Sequence, residues 1–306
     1  MDGFGLQPLE GGFSGETFLG EAAGERTVVR LYVGRGERRG PAAPEVDAGV
    51  LRLVRGLVPV PEVLEIRRLD PAAGTPGLLV TTFEPGERLD VVLPDLGADQ
   101  RARLGRDLGT IVARLGQMPM PRAGMFVDGN LTIEPFPDAT DLVAWVDHHR
   151  ESSALADWST DLADGLRGVA DEAQELLAEV DRCCLVHSDL NPKNVLVDPA
   201  AGVVTALLDW EFAHAGHPAT DLGNLLRFDR EREFAEGVLD GYLGSAGHLD
   251  GNGRPGGRRR LLDRARAGDL WALVDLAGRR GTNPVADRAD ERLRVIAATG
   301  DLHAGG

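Results

Sequence analysis

Between Cys183 and Asp209 the chain alternates short apolar runs with polar ones, and this order leaves few folding options. Cys183-Cys184-Leu185-Val186 precedes a polar stretch that holds His187, Asp189 and Asn194. Val195-Leu196-Val197 follows, and Val203 to Leu208 leads into Asp209. Short β-branched runs broken by Asp198-Pro199-Ala200-Ala201-Gly202 predict a small hairpin. Such a hairpin brings Asn194, at the start of one strand, close to Asp209, at the end of the other. An amide oxygen and a carboxylate then converge, which is the geometry a shared metal ion requires.

His187, Asp189 and Asn194 also fit the H-x-D-L-x-x-x-N catalytic loop of protein kinases, and Asp209 opens a D-W-E where those enzymes carry D-F-G. Phosphoryl transfer needs an acceptor or orienting group for the substrate hydroxyl proton, here Asp189. It also needs oxygen ligands that hold Mg²⁺ against nucleotide phosphates, here Asn194 and Asp209.

The segment from 183 to 228 resembles the aminoglycoside phosphotransferase family, which typically shows H-G-D-L-H-x-x-N, then I-D-W, then G-D-P-x-x-D-L. The departures are Ser188 for the glycine, Asn191 for the second histidine and His217 for the aspartate of G-D-P. None touches an expected metal ligand or the base, so they bear on the acceptor side of the site. The resemblance is strong over 183–228 and looser over most of the remaining chain. It implies an α+β, protein-kinase-like fold of two lobes: a small β-rich lobe over 1–84 that binds nucleotide, and a larger, mainly helical lobe over 85–306 for catalysis and substrate. It also implies supporting roles for Asp221, beneath the catalytic loop, and for His187, which anchors that loop.

The N-terminal region reads as strands. Leu6 to Leu9 and Thr17 to Leu19 bracket Gly11-Gly12-Phe13-Ser14-Gly15, where glycines permit a tight turn close to phosphate oxygens, and Gly12, Ser14 and Gly15 are the expected contacts. The strand Thr27 to Tyr32 aligns with the kinase V-A-I-K and places Arg30 at the lysine position, with Val28 facing the base. A helix over Glu45 to Val54 offers Asp47, or else Glu45, as the partner of Arg30. Strands over Leu64 to Leu69 and Leu78 to Phe83 flank a turn, and the backbone of Thr81, Thr82 and Phe83 is the expected reader of the base edge. Helices are predicted over Asp99 to Leu115, Ser159 to Val180, 259–281 and 284–299, with loops over Gly34 to Pro44 and Gly244 to Gly257.

A formal charge of −16 argues against nucleic acid or an anionic membrane as partner. The two cysteines are adjacent, which disfavours a disulfide between them and matches no zinc spacing. No apolar run is long enough to span a bilayer, so a cytoplasmic protein is expected. The expected activity is transfer of the γ-phosphate of ATP or GTP, with Mg²⁺, to a small-molecule hydroxyl. The resemblance suggests an aminoglycoside-like or other cationic antibiotic, and hence antibiotic resistance. Acids over Asp138 to Glu151, Glu211 and Asp287 to Glu291 are candidates to meet such a cation. A kinase of a choline-, homoserine- or sugar-like metabolite is the alternative, and a nucleotide-binding pseudoenzyme is the alternative of another class. The oligomeric state is left open.

Overall fold

Alternation along the first strands decides what the N-terminal sheet buries. In the computed structural model, which describes residues 5–9, 16–22, 24–33, 39–137, 141–228, 231–246 and 257–305, β1 (Gly5–Pro8), β2 (Glu16–Ala22), β3 (Glu25–Tyr32), β4 (Val63–Arg67) and β5 (Gly77–Thr82) form one antiparallel sheet in the order β1-β2-β3-β5-β4. Val28, Arg30 and Tyr32 lie opposite Thr81, Leu79 and Gly77. With a side-chain period of two, they share one face. Helix α1 (Ala43–Val54) packs on this sheet through Val46, Val50 and Val54, all fully buried, and ends before Gly56 at positive φ.

β6 (Glu87–Arg88), α2 (Leu89–Val92) and α3 (Ala98–Gly116) follow, then the short strands β7 (Pro119–Met120), β8 (Gly124–Phe126) and β9 (Ile133–Glu134). Helices α4 (Leu142–Ser152) and α5 (Thr160–Ala178) precede β10 (Cys183–Val186), the hairpin β11 (Val195–Asp198) and β12 (Val203–Leu207), and β13 (His214–Gly216). The chain closes with α6 (Thr220–Leu225), α7 (Arg232–Ala246), α8 (Gly257–Ala277) and α9 (Pro284–Thr299). One apolar core joins α1, α3 and α7 to the β10–β12 region. A second lies among α4, α5, α8 and α9. No helix among the described residues is long and apolar enough to cross a membrane, and neither Cys183 nor Cys184 is in a disulfide.

Two expectations need correction. Residues 244–246 continue α7, while the rest of the Gly-rich stretch, 247–256, lies outside the described residues. Of the Gly34 to Pro44 segment, residues 34–38 lie outside the described residues, Gly40–Ala42 form a 3₁₀ turn, and Ala43 and Pro44 already belong to α1.

Helices α3 and α7 cross backbone to backbone. A Cβ added at Gly105 or Gly109 would meet the carbonyl oxygen of Phe234 or Val238 at 2.3 or 2.1 Å, and one at Gly237 or Gly241 that of Ala102 or Arg106 at 2.5 or 2.1 Å. Both helices therefore carry glycine at four-residue spacing on the shared face. Gly109→Ala is expected to destabilise the protein by about 1–3 kcal/mol through overpacking. Gly168→Ala, in α5 with open space around the added methyl, is expected to stabilise it by about 0.5–1 kcal/mol. Denaturant midpoints of the two variants, moving in opposite directions, check the contrast.

Candidate active site

The polar loop after β10 is built from one buried acid. Asp221, at the start of α6 and 2% exposed, accepts from the backbone N–H of His187 at 2.9 Å and of Ser188 at 2.8 Å. Burial pushes its carboxyl up, while His187 and these two amides work in the other direction. The bonds hold Ser188 in the left-handed region (φ 67°), where the resembled family's glycine is free of strain. His187 is fully buried. Its Nε2 bonds the Leu208 carbonyl at 2.8 Å and its Nδ1 accepts from the Asp189 amide at 3.3 Å, so the ring is held at both nitrogens. The ring packs against Trp210 at 4.5 Å. Both residues thus shape the loop from within.

The Asp189 carboxylate is held from two sides. Oδ1 accepts from Asn191 Nδ2 at 2.9 Å, Oδ2 from Asn194 Nδ2 at 3.0 Å, and Lys193 Nζ lies 3.7 Å from Oδ2. Asn191 also caps the 3₁₀ turn Pro192–Asn194 by accepting from the Lys193 amide. Lys193 was not singled out in the sequence, and Asn191 was noted there only as standing in for the resembled family's second histidine. The side-chain amide of Asn191, two residues past an aspartate, was the available signal.

The hairpin forms with Val195 opposite Leu207, and the Leu208 amide donates to the Asn194 carbonyl at 2.8 Å. Asn194 and Asp209 therefore sit side by side at its open end. Asn194 spends its Nδ2 on Asp189, and its Oδ1 receives no hydrogen bond among the described residues. Asp209 Oδ1 accepts from Arg30, and its Oδ2 has no protein donor among them. Two hard oxygens left in this way suit Mg²⁺, which takes few protein ligands and completes its shell with water and phosphate.

Arg30 is where the structure departs most from expectation. Its guanidinium reaches across to Asp209 at 3.0 Å and to Glu211. Asp47 is instead bound by Arg39 at 2.6 Å and by the Tyr32 hydroxyl at 2.7 Å, and Glu45 by Arg68. The expected pairing of Arg30 with α1 is thereby corrected, because a nearer guanidinium takes the α1 acid. Burial works against the charge on Arg30, yet Tyr32, Asp209, Asp47 and Glu211 outweigh it and hold the group above its usual range. Burial pushes Arg39 down, opposed chiefly by Asp47.

The remaining expected contacts are mixed. Gly12, Ser14 and Gly15 lie outside the described residues. Val28 and Thr81 face each other across β3 and β5. The Thr82 amide is taken by the Glu62 carbonyl at 2.9 Å, and its hydroxyl by the Glu62 amide and Glu84. Thr82 therefore cannot offer its N–H to a base, and Phe83 is the first residue past the ladder, its ring covered by Arg26 at 4.0 Å. The acids proposed for a cationic acceptor are largely engaged. Asp141 caps α4, Asp147 pairs with Arg167, Asp287 accepts from the Gly281 amide, Asp290 holds Trp158 and Arg294, and Glu211 holds Arg30. Asp138 lies outside the described residues.

Comparison with known proteins places this architecture. Residues 5–262 match the sequence pattern of the phosphotransferase enzyme family, and the chain belongs to that family. The fold is the two-lobed, protein-kinase-like one of aminoglycoside phosphotransferases. The structure of a thermostable mutant of aminoglycoside phosphotransferase APH(4)-Ia in ternary complex with ADP and hygromycin B superposes with a TM-score of 0.65 at 18% identity, covering 99% of this chain and 95% of that one. The GDP complex of aminoglycoside 2'-phosphotransferase-IIIa gives 0.68 at 18% identity, with 97% and 93% covered. Acyl-CoA dehydrogenase family member 11 of Mus musculus is 47% identical over 45 residues, 15% of this chain and only 6% of that protein. Its Rattus norvegicus counterpart is 44% identical over the same length.

Proposed function

We propose that this phosphotransferase moves the γ-phosphate of ATP or GTP to a hydroxyl of a small molecule, with Asp189 as the base or orienting acceptor for the hydroxyl proton. The observation that carries the reading is the Asp189 carboxylate, held by Asn191 and Asn194 while Asn194 Oδ1 and Asp209 Oδ2 remain available. Mg²⁺ bound by Asn194 and Asp209 would neutralise phosphate charge. Arg30 supplies a forked cation near the same phosphates, and the Gly11 to Gly15 segment supplies backbone amides. Asn194 does two tasks with one amide: its nitrogen orients the base and its oxygen faces the metal. An intact set of this kind favours catalysis over a nucleotide-sensing pseudoenzyme. We place the lobe boundary after residue 84, just past the end of the β5 ladder.

The acceptor is proposed to be an aminoglycoside-like or other cationic antibiotic, supported by the acidic balance of the chain and by neighbours such as the hygromycin B complex. The engagement of most candidate acids favours, as second reading, a neutral or singly charged metabolite. Mg²⁺-dependent turnover of ATP and GTP, measured with a panel of cationic antibiotics against one of neutral hydroxyl metabolites, tests the function. Salt then separates the two acceptors. For a polycation the apparent KM should climb steeply from 0.1 to 1 M salt, as the Debye length falls from about 10 to about 3 Å. For a neutral acceptor it should stay flat.

A further inference from the structure

One buried charge pair, Arg39 with Asp47, has no part in the mechanism so far. Arg39, just ahead of α1, donates from one nitrogen to Asp47 Oδ1 at 2.6 Å and from the other to the backbone carbonyl of Ala213. The side chains of Arg39 and Asp47 are only 5% and 6% exposed. The other oxygen of Asp47 accepts from the hydroxyl of Tyr32, which is fully buried, and the Tyr32 ring lies 5.2 Å from the Arg30 guanidinium. Arg30 then returns to Asp209 and Glu211. The contacts close a circuit: from Ala213 through Arg39, Asp47, Tyr32 and Arg30, back to the turn that ends at Ala213.

A buried ion pair gives little net stability over apolar packing. A planar fork that bonds an acid on α1 and a main-chain carbonyl on the turn does something packing cannot, which is to fix the distance between them. The turn needs such a hold. Asp209 is left-handed (φ 63°, ψ 63°), and the 3₁₀ turn Trp210–Phe212 that follows is a single short element carrying Glu211. Glu45 cannot serve in this place, since Arg68 holds it.

We propose that Arg39 is a positioning residue that clamps the Asp209–Ala213 turn to helix α1, and so sets where Asp209, Glu211 and Arg30 meet the nucleotide phosphates. The inference rests on the phosphoryl-transfer reading. It also explains how Arg30 is oriented without an acid from α1: Glu211 orients it from the turn, and Arg39 orients the turn.

The test compares Arg39→Met, Arg39→Lys, Asp47→Asn and the double variant R39M/D47N in the full chain. Thermal unfolding is read alongside titration with MgATP, MgGTP, adenosine and guanosine. Arg39→Met alone strands the Asp47 charge and is expected to lose stability. The double variant removes both charges and keeps an acceptor for Tyr32, so its unfolding temperature should return toward wild type. Its affinity for the triphosphate should nevertheless stay weaker by about 10- to 100-fold, the cost of misplacing groups by an ångström or so, with nucleoside affinity unchanged. Arg39→Lys keeps the charge but replaces the fork with a single ammonium. It is expected to unfold like wild type and to show the same selective loss on triphosphate. Wild-type triphosphate affinity in either stable variant overturns the proposal and leaves Arg39 as a structural counter-ion. A wild-type protein that binds neither triphosphate strikes the underlying reading instead, and the proposal falls with it.

Discussion

Replacing Asp189 with alanine is expected to lower turnover by about 10²–10⁴-fold, the usual contribution of a positioned general base, while nucleotide affinity stays close to wild type. The separation follows from what holds the loop. Asp189 accepts hydrogen bonds but supports nothing beneath it. The loop is anchored by the Asp221 bonds to the His187 and Ser188 amides and by His187 on the Leu208 carbonyl. Alanine leaves the side-chain amides of Asn191 and Asn194 on the backbone carbonyl of residue 189, which both also bond, at small cost for a carboxylate already 24% exposed. Asparagine is a harsher change than its size suggests, because one oxygen becomes an NH₂ facing a donor amide. Steady-state kinetics with a responsive acceptor, alongside nucleotide titration of the folded variant, reads both halves. Wild-type turnover in the alanine variant removes Asp189 from the mechanism.

Asp209→Ala should abolish the strengthening of nucleotide binding by Mg²⁺, a larger loss than the roughly 10- to 100-fold typical of removing a group that only supports a metal ligand. Asn194→Ala should weaken the strengthening without abolishing it, since the asparagine brings one neutral oxygen. The Asp209 variant also removes one partner of Arg30 and keeps Glu211 on the turn. Metal-free nucleotide binding should therefore persist through the arginine. Titrations at several Mg²⁺ concentrations decide the point. Undiminished enhancement in the Asp209 variant contradicts its assignment as a ligand.

Much of the site was legible because it is local. The β10 to β12 segment carries its own hairpin signals, so the adjacency of Asn194 and Asp209 followed from turn chemistry and strand period alone. The start of α5 near Ser159 and the end of α1 at Val54 were readable for the same reason. The contacts that escaped are long-range and polar. Arg30 and Glu211 are separated by 181 residues, and Arg39 and Ala213 by 174. Apolar periodicity says nothing about which of several arginines takes a given acid, so Asp47, or else Glu45, was expected on Arg30, whereas Arg39 and Arg68 take them. The α3–α7 contact escaped as well: α7 was not among the expected helices, and the glycines at 105 and 109 and at 237 and 241 name no partner in the sequence. Only the fold tells that each pair faces the other.

The central claim is that the loop around Asp189 transfers a phosphoryl group to a hydroxyl. The most direct measurement incubates the protein with γ-labelled ATP or GTP, Mg²⁺ and the acceptor panel, and follows label and product mass together. The account predicts one acceptor that gains a single phosphoryl group on oxygen, with one nucleoside diphosphate released per transfer, no transfer when Mg²⁺ is chelated, and almost none in Asp189→Ala. Nucleotide bound tightly by the wild type yet never cleaved, or cleaved at the same rate in wild type and Asp189→Ala with label passing only to water, would contradict it.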